Sequence, residues 1–221
     1  MRHFQEELNE LQRRLLEMAG LVESAIHFSV RSLTARDQEQ AQRVLRSEAT
    51  INQMEIEIDG LATRLLALHQ PMAGDLRFLT AAIKINSDLE RMGDLAVNIV
   101  ERAMDLMGRP PMKPLVDIPK MAGLAESMVR KSLNAFVNRD PELARSVLLS
   151  DDAVDDLKDT VYQDLIHFME SDPSTVAAGV DLIFVAHNLE RIADQATNIA
   201  EEVLFLVQGI DVRHHAETAE E

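Results

Sequence analysis

Residues 88–101 read DLERMGDLAVNIVE, and residues 187–201 read HNLERIADQATNIAE. Leu-Glu-Arg, an Asp four after that Glu, Ala-x-Asn-Ile and a second Glu recur one hundred positions apart. Self-similarity at a fixed distance marks a chain assembled from like units. Around the first copy, Ala82, Ile85, Leu89, Met92, Ala96, Ile99, Ala103 and Leu106 fall at alternating three- and four-residue steps. That spacing predicts one apolar stripe along a long helix ending near Met107. Before it, HQPMAGD (69–75) places Pro and Gly together and breaks the chain. A second helix is predicted upstream, with its seam at Ile51, Met54, Ile58, Leu61, Leu65 and Leu68. It starts at Asp37, a suitable N-cap, with Gln40 three residues on completing a capping box. The first helix carries Phe4, Leu8, Leu11, Leu15, Met18, Val22, Ala25, Ser29 and Leu33, the seam of a bundle helix with one polar member.

After Met107 the segment GRPPMKPLVDIP has four prolines between 110 and 119, and no helix is expected to run through it. The plan then repeats. Aligning Arg36-Asp37 on Arg139-Asp140 pairs Glu39 with Glu142, Ala41 with Ala144, Val44-Leu45 with Val147-Leu148, Ser47 with Ser150 and Glu48 with Asp151. The cap is reinforced in the second copy, because Pro141 occupies the first helical position. Second helices align at an offset of 103 and third helices at 100, so SDPS (171–174) forms a loop three residues shorter. The expected fold is all-α: two tandem three-helix bundles related by internal duplication. Their bounds are 1–108 and 121–212, with a Pro-rich linker at 109–120 and a flexible tail at 213–221. No sustained period-two alternation or hairpin turn argues for strands.

Composition narrows the function. The 221 residues carry a formal net charge of −16, with 46% hydrophobic and only 4% aromatic residues. Such a surplus of acid disfavours nucleic acid and anionic lipid, which require clustered Lys and Arg. No Cys is present, so disulfides, thiolate ligands and Cys nucleophiles are excluded, and a reducing compartment is permitted. MRHFQEEL at the start is acidic and amphipathic, unlike a secretory signal, and no uninterrupted apolar run reaches membrane-spanning length. VAAGVDLIFVA (176–186), the most apolar stretch, contains Asp181.

The acids are sorted. At 100° per residue, Glu90, Asp94 and Glu101 cluster on one side of the third helix, while Lys84, Arg91 and Arg102 form a neighbouring stripe. The second helix has its own strip of Glu48, Asn52, Glu55 and Asp59, and the second copy has Asp151, Asp155 and Asp159. Folding the second and third helices back about residue 71 sets Glu48 level with Asp94, and Asn52 level with Glu90. In the second copy Asp151 meets the level of Asp194, and Asp155 that of Glu190. Two readings follow. Converging carboxylates suit a hard cation such as Mg²⁺, Mn²⁺ or iron, with Zn²⁺ more often bringing His or Cys. Alternatively the acids are a solvated or docking face.

Other residues carry less. His69, His167 and His187 read as surface or capping side chains, His187 lying just ahead of Glu190. Met92, Met104, Met107, Met121 and Met128 read as core filler. Asn98 and Asn198 suit either an interhelical hydrogen bond or a coordination shell. Gly93 and Ala193 share only smallness, which favours close helix approach. There is no Glu-x-x-His, no phosphate-binding Gly loop and no Gly-x-Ser-x-Gly, so no catalytic residues are assigned and an enzyme is not expected.

The repeated LERMGD and LERIAD, HQPMAGDLR at the first hairpin, and TNIAEEV (197–203) resemble the PhoU family of phosphate-uptake regulators over essentially the whole chain. The resemblance implies a cytoplasmic, non-enzymatic negative regulator of the phosphate-starvation response. Its implied partners are a phosphate ABC transporter ATPase and a membrane sensor histidine kinase, with homodimerisation and at most peripheral membrane association. It also implies metal ions (Mg, Mn, Fe or Zn) at the Glu-x-x-x-Asp motifs. Carried over, the ligands are Glu90 and Asp94 with Glu48 and Asn52, and Glu190 and Asp194 with Asp151 and Asp155. The alternative is a metal-free helical scaffold that binds proteins through its acidic face.

Overall fold

The structure, a computed structural model, describes residues 2–110, 117–210 and 212. The described residues form seven α-helices and one 3-10 turn, with no strand among them. In the first half, α1 (Arg2–Ala35), α2 (Gln38–His69) and α3 (Ala73–Met107) pack pairwise as an up-down-up bundle. In the second, α4 (Asp117–Asn138), α5 (Pro141–Leu148), α6 (Asp151–Ser171) and α7 (Val176–Gln208) repeat the plan. The 3-10 turn spans Pro173–Thr175, inside the loop anticipated at SDPS.

The seams behave as their periodicity predicts. From Leu8 to Leu33 every α1 seam residue is buried, Ser29 included, because its hydroxyl donates to the Ile26 carbonyl at 2.7 Å. All eight α3 stripe residues are buried. On α2 the apolar run ends early: Leu68 stays 68% exposed beside the hairpin tip. The duplication reaches the backbone. Arg36 and Arg139 both take positive φ, 52° and 50°, and the Asp after each accepts the N–H groups two and three residues further on. Satisfying those otherwise orphaned donors fixes where each second helix begins.

Two expectations are corrected. The second helix of the second half is not continuous but divides into α5 and α6 at Leu149–Ser150. There the Ser150 hydroxyl takes the Ser146 carbonyl at 2.8 Å, while the Ser150 N–H turns to Val147 at 2.9 Å. The Asp151-Asp152 pair then opens a new helix, where acids favour the N-terminal end of the dipole. In the first half, Glu48-Ala49 stands at this point and α2 runs on. Helix α4 also begins at Asp117, inside the segment expected as linker. Pro119 lies in its first turn, where a missing N–H removes no helical hydrogen bond. The stretch 111–116 and the tail 213–221 lie outside the described residues.

The halves meet along α3 and α7, the most extensive helix contact in the molecule. The two helices run antiparallel, since Lys84 near the start of α3 donates to Glu202 near the end of α7 at 2.6 Å. At the other end, Arg102 and Arg109 lie 3.6 and 3.2 Å from the carboxylate of buried Asp181. This explains the sorted charges of α3: Lys84 and Arg102 face α7, and the acids of the repeated motif face α2. Asn198 on α7 acts on Asp88 of α3 across the seam, holding its carboxyl down against burial.

Burial, with the Glu202 charge adding to it, pushes the Asp88 carboxyl up to about 7. A carboxyl raised on folding contributes stability that is complete below its unfolded value near 3.8 and lost as pH rises through about 7. Asp88→Asn removes that loss. The variant is expected to be more stable than the wild type at pH 8 by about 1–2 kcal/mol, after solvent screening, with the gap closing by pH 4. Urea denaturation across that range measures it.

Candidate functional site

Glu90 and Asp94 stand one turn apart on the α2-facing side of α3, both half-buried. Burial raises the Glu90 carboxyl, and the Asp94 and Glu55 charges raise it further, with Arg91 opposing. The α2 acid that acts on Glu90 is thus Glu55, which belongs to the α2 strip but not to the expected ligand set. Asn52 and Glu48 lie half-buried one and two turns back along α2. One turn before Glu90, fully buried Asn86 donates from Nδ2 to the Glu55 backbone carbonyl at 2.9 Å. Its Oδ1 is buried with no hydrogen-bond partner.

The helices can come this close because of Gly93. A Cβ there would stand 3.3 Å from Ile51 Cγ2. The equivalent buried pair in the second half is Ala193 and Val154, so a methyl group has moved from one helix to the other. Gly93→Ala alone is expected to destabilise by about 1 kcal/mol, crowding outweighing the gain in helix propensity. Adding Ile51→Val should recover part of that loss, a non-additivity that a double-mutant cycle of denaturation midpoints would measure.

In the second half the charges of the four expected residues act on one another. Burial pushes the Asp194 carboxyl up to about 6, assisted by the charges of Glu190, Asp151 and Asp155. Asp151 is raised by burial and by Asp155, Asp152 and Glu190. Lys158 lies among them: its Nζ donates to Asp155 Oδ1 at 2.8 Å and to Glu190 Oε1 at 3.0 Å. Those two contacts, the Asp155 hydrogen bond foremost, raise the lysine above its ordinary value. His187 Nδ1 stands 3.4 Å from Glu190 Oε2. Tyr162 is raised by burial and by the Glu190 charge. Of the other histidines, His69 lies against Phe4 with ring centroids 4.7 Å apart at a 39° tilt and pairs with Glu7 at 3.2 Å, away from either set.

Lys158 was readable in the duplication. At the offset of 103 it aligns with Glu55, and at 100 Asn86 aligns with Ala186. Carboxylate and amide oxygens make the first set a hard-cation donor set. Among the described residues no three or more His, Cys, Asp or Glu side chains stand close enough to hold a metal ion.

Fold and clusters together define a duplicated helical-bundle protein with one acidic cluster per unit. The PhoU domain matches it twice, over residues 15–103 and 118–203. A phosphate-specific transport system accessory protein PhoU homolog of Aquifex aeolicus is 40% identical over 94% of both chains. One from Pseudomonas putida is 39% identical over 96% of this chain and 83% of its own. The crystal structure of PhoU from Pseudomonas aeruginosa superposes with a TM-score of 0.92 at 37% identity, covering 94% of this chain and all of that one. The phosphate transport system regulatory protein PhoU from Streptococcus pneumoniae gives 0.88 at 29% identity, over 95% and 99%. The chain belongs to the PhoU family, whose members are accessory and regulatory proteins rather than enzymes. Among the described residues no helix is long and apolar enough to cross a membrane.

Proposed function

We propose that this protein is a cytoplasmic negative regulator of phosphate uptake and of the phosphate-starvation response. It acts as an adaptor, as a homodimer, between a phosphate ABC transporter ATPase and a sensor histidine kinase. The reading is supported by full-length similarity to proteins named for phosphate-specific transport. Within it, the acidic clusters are cation sites, which carry divalent or iron-type metal in the docking-competent protein. The observation that carries this is the convergence of Asp151, Asp155, Glu190 and Asp194 from two helices, echoed by Glu55, Glu90 and Asp94. Like charges at such range repel, and either a nearby cation or a bound proton offsets that repulsion.

A second reading, a metal-free scaffold docking through its acidic face, is favoured by Lys158, which supplies a counter-cation without metal. The two separate in a strain lacking the gene and carrying a phosphate-starvation reporter. Wild-type protein is expected to restore repression in high phosphate. The quadruple Ala variant of Glu90, Asp94, Glu190 and Asp194, with helicity unchanged, is expected not to. Full repression by that variant would refute the metal reading, and no repression by wild type would refute the regulator reading.

A further inference from the structure

We infer that the protein binds a small dipolar ion, a free α-amino acid, in a cavity between its two halves, held by Arg139 and Asp75. Neither the regulator reading nor the cation reading above bears on it. The duplication points to the site. Arg36 and Arg139 hold the same place, each just ahead of the Asp that caps the second helix of its half, with nearly the same positive φ. Arg36 closes on the end of α3: its Nη2 donates to the carbonyls of Leu106, Met107 and Arg109 at 2.9, 2.7 and 2.6 Å. The end of α7 is served by other groups. Arg77 donates to the Leu206 carbonyl at 3.4 Å, the Gly209 N–H to that of Phe205 at 2.9 Å, and Arg145 to the Gln208 side chain at 3.0 Å. Arg139 is left with no side-chain hydrogen bond or ion pair among the described residues.

Instead Arg139 lines a cavity of about 240 Å³ between α1, α3 and the turn that joins α4 to α5. Buried Leu8 and Phe78 supply its apolar lining. Gln5, Asn9 and Gln12 line the α1 side, the first amide donating to the second at 3.3 Å. Asp75, in the first turn of α3, is the other charge. Its carboxylate is likewise unpaired among the described residues, and no ion pair joins it to Arg139. Two opposite charges that line one small cavity without meeting across it define the ligand. An anion would suit Arg139 but would meet the Asp75 carboxylate and a net charge of −16 on the chain. A cation would meet the guanidinium. A molecule with both charges satisfies both walls: its carboxylate accepts two parallel N–H bonds from Arg139, and its ammonium donates to Asp75. The three amides offer donors and acceptors to a polar side chain. A free α-amino acid has the right length, spanning about 8 Å once a charge-assisted hydrogen bond of about 2.8 Å is added at each end. Arg139, Asp75, Gln5 and Asn9 are all exposed, so the ligand enters directly from solvent. Junctions between domains are also where small-molecule sites concentrate.

Saturation-transfer NMR of the full-length protein with each of the free protein amino acids in turn, up to about 10 mM, identifies the ligand, and isothermal titration measures its affinity. At least one amino acid is expected to bind saturably. Arg139→Gln and Asp75→Asn are each expected to weaken it about tenfold or more, since each removes a charge-assisted pair. Both positions are exposed, and circular dichroism confirms that the variants fold. The N-acetyl and carboxamide derivatives of the same amino acid, each lacking one charge, should lose affinity to a similar degree. Binding of no amino acid would overturn the inference. Binding that persists unchanged in both variants would place the ligand elsewhere and refute this site. Weakening by Arg139→Gln alone would refute the part given to Asp75, and with it the dipolar ion. Derivatives that bind as well as the parent, or inorganic phosphate bound through Arg139 in place of any amino acid, would refute the ligand class.

Discussion

Replacing Lys84 with Met is expected to destabilise the protein by about 2–3 kcal/mol, the asymmetric effect of leaving one member of a half-buried ion pair behind. Glu202 keeps only 7% of its side chain exposed, against 42% for Lys84. Lys84 can recover its hydration when its partner is lost; Glu202 cannot. One Glu202 oxygen, Oε2, already lacks a hydrogen-bond partner, and Asp88 lies beside it as a second acid. Met keeps the aliphatic stem that packs near Phe205, so the loss isolates the charge. Glu202→Gln is expected to cost about 1 kcal/mol, because Lys84 turns to water. Urea midpoints of the two variants give the comparison, and equal losses would contradict the assignment. The pair joins α3 to α7, so the same substitution should loosen the halves from one another. Faster hydrogen exchange along both helices would register that.

The second large effect is Leu89→Ala, with an expected loss of about 3–4 kcal/mol. Leu89 is fully buried in the middle of α3, between the α2-facing acids and the α7-facing charges. Truncation there leaves a cavity lined by side chains of long helices that cannot easily close on it. Leu68→Ala provides the control. Both leucines sit on an apolar stripe of their helix, yet Leu68 is 68% exposed and its truncation is expected to change stability by less than about 0.5 kcal/mol. Thermal or urea denaturation of the two proteins measures the contrast.

That pair shows where sequence reading stops. Periodicity gave Leu68 and Leu89 the same expectation, because it records which side of a helix is apolar and not how far along it a neighbour extends. Leu68 lies beyond the reach of the bundle, next to the α2–α3 hairpin. The break at Leu149–Ser150 is similar: Ser47 and Ser150 align, and only the hydrogen bonds around Ser150, with the Asp pair behind it, decide that one helix stops.

The candidate site divides along the same line. That Asp155 and Glu190 come together, both on Lys158, was legible, since their shared level follows from counting residues back from a hairpin. In the first half the same count matched Asn52 to Glu90, whereas the charge that acts on Glu90 from α2 belongs to Glu55. Residue level is set by the rise along each helix, but facing is set by rotation about its axis. In the first half that rotation depends on the Ile51–Gly93 approach, a nonlocal contact.

By itself the sequence determined the all-α class, the duplication, the helix seams, the Asp caps and the sorting of acids from bases on α3. Each of these is written in local spacing and follows from the pitch of a helix. Only the tertiary structure decided which partner each charge meets: Lys84 and Arg102 with the acids of α7, and Lys158 with Asp155 and Glu190. A charge selects its partner by distance and burial between helices remote in sequence, and those are fixed only when the bundles pack.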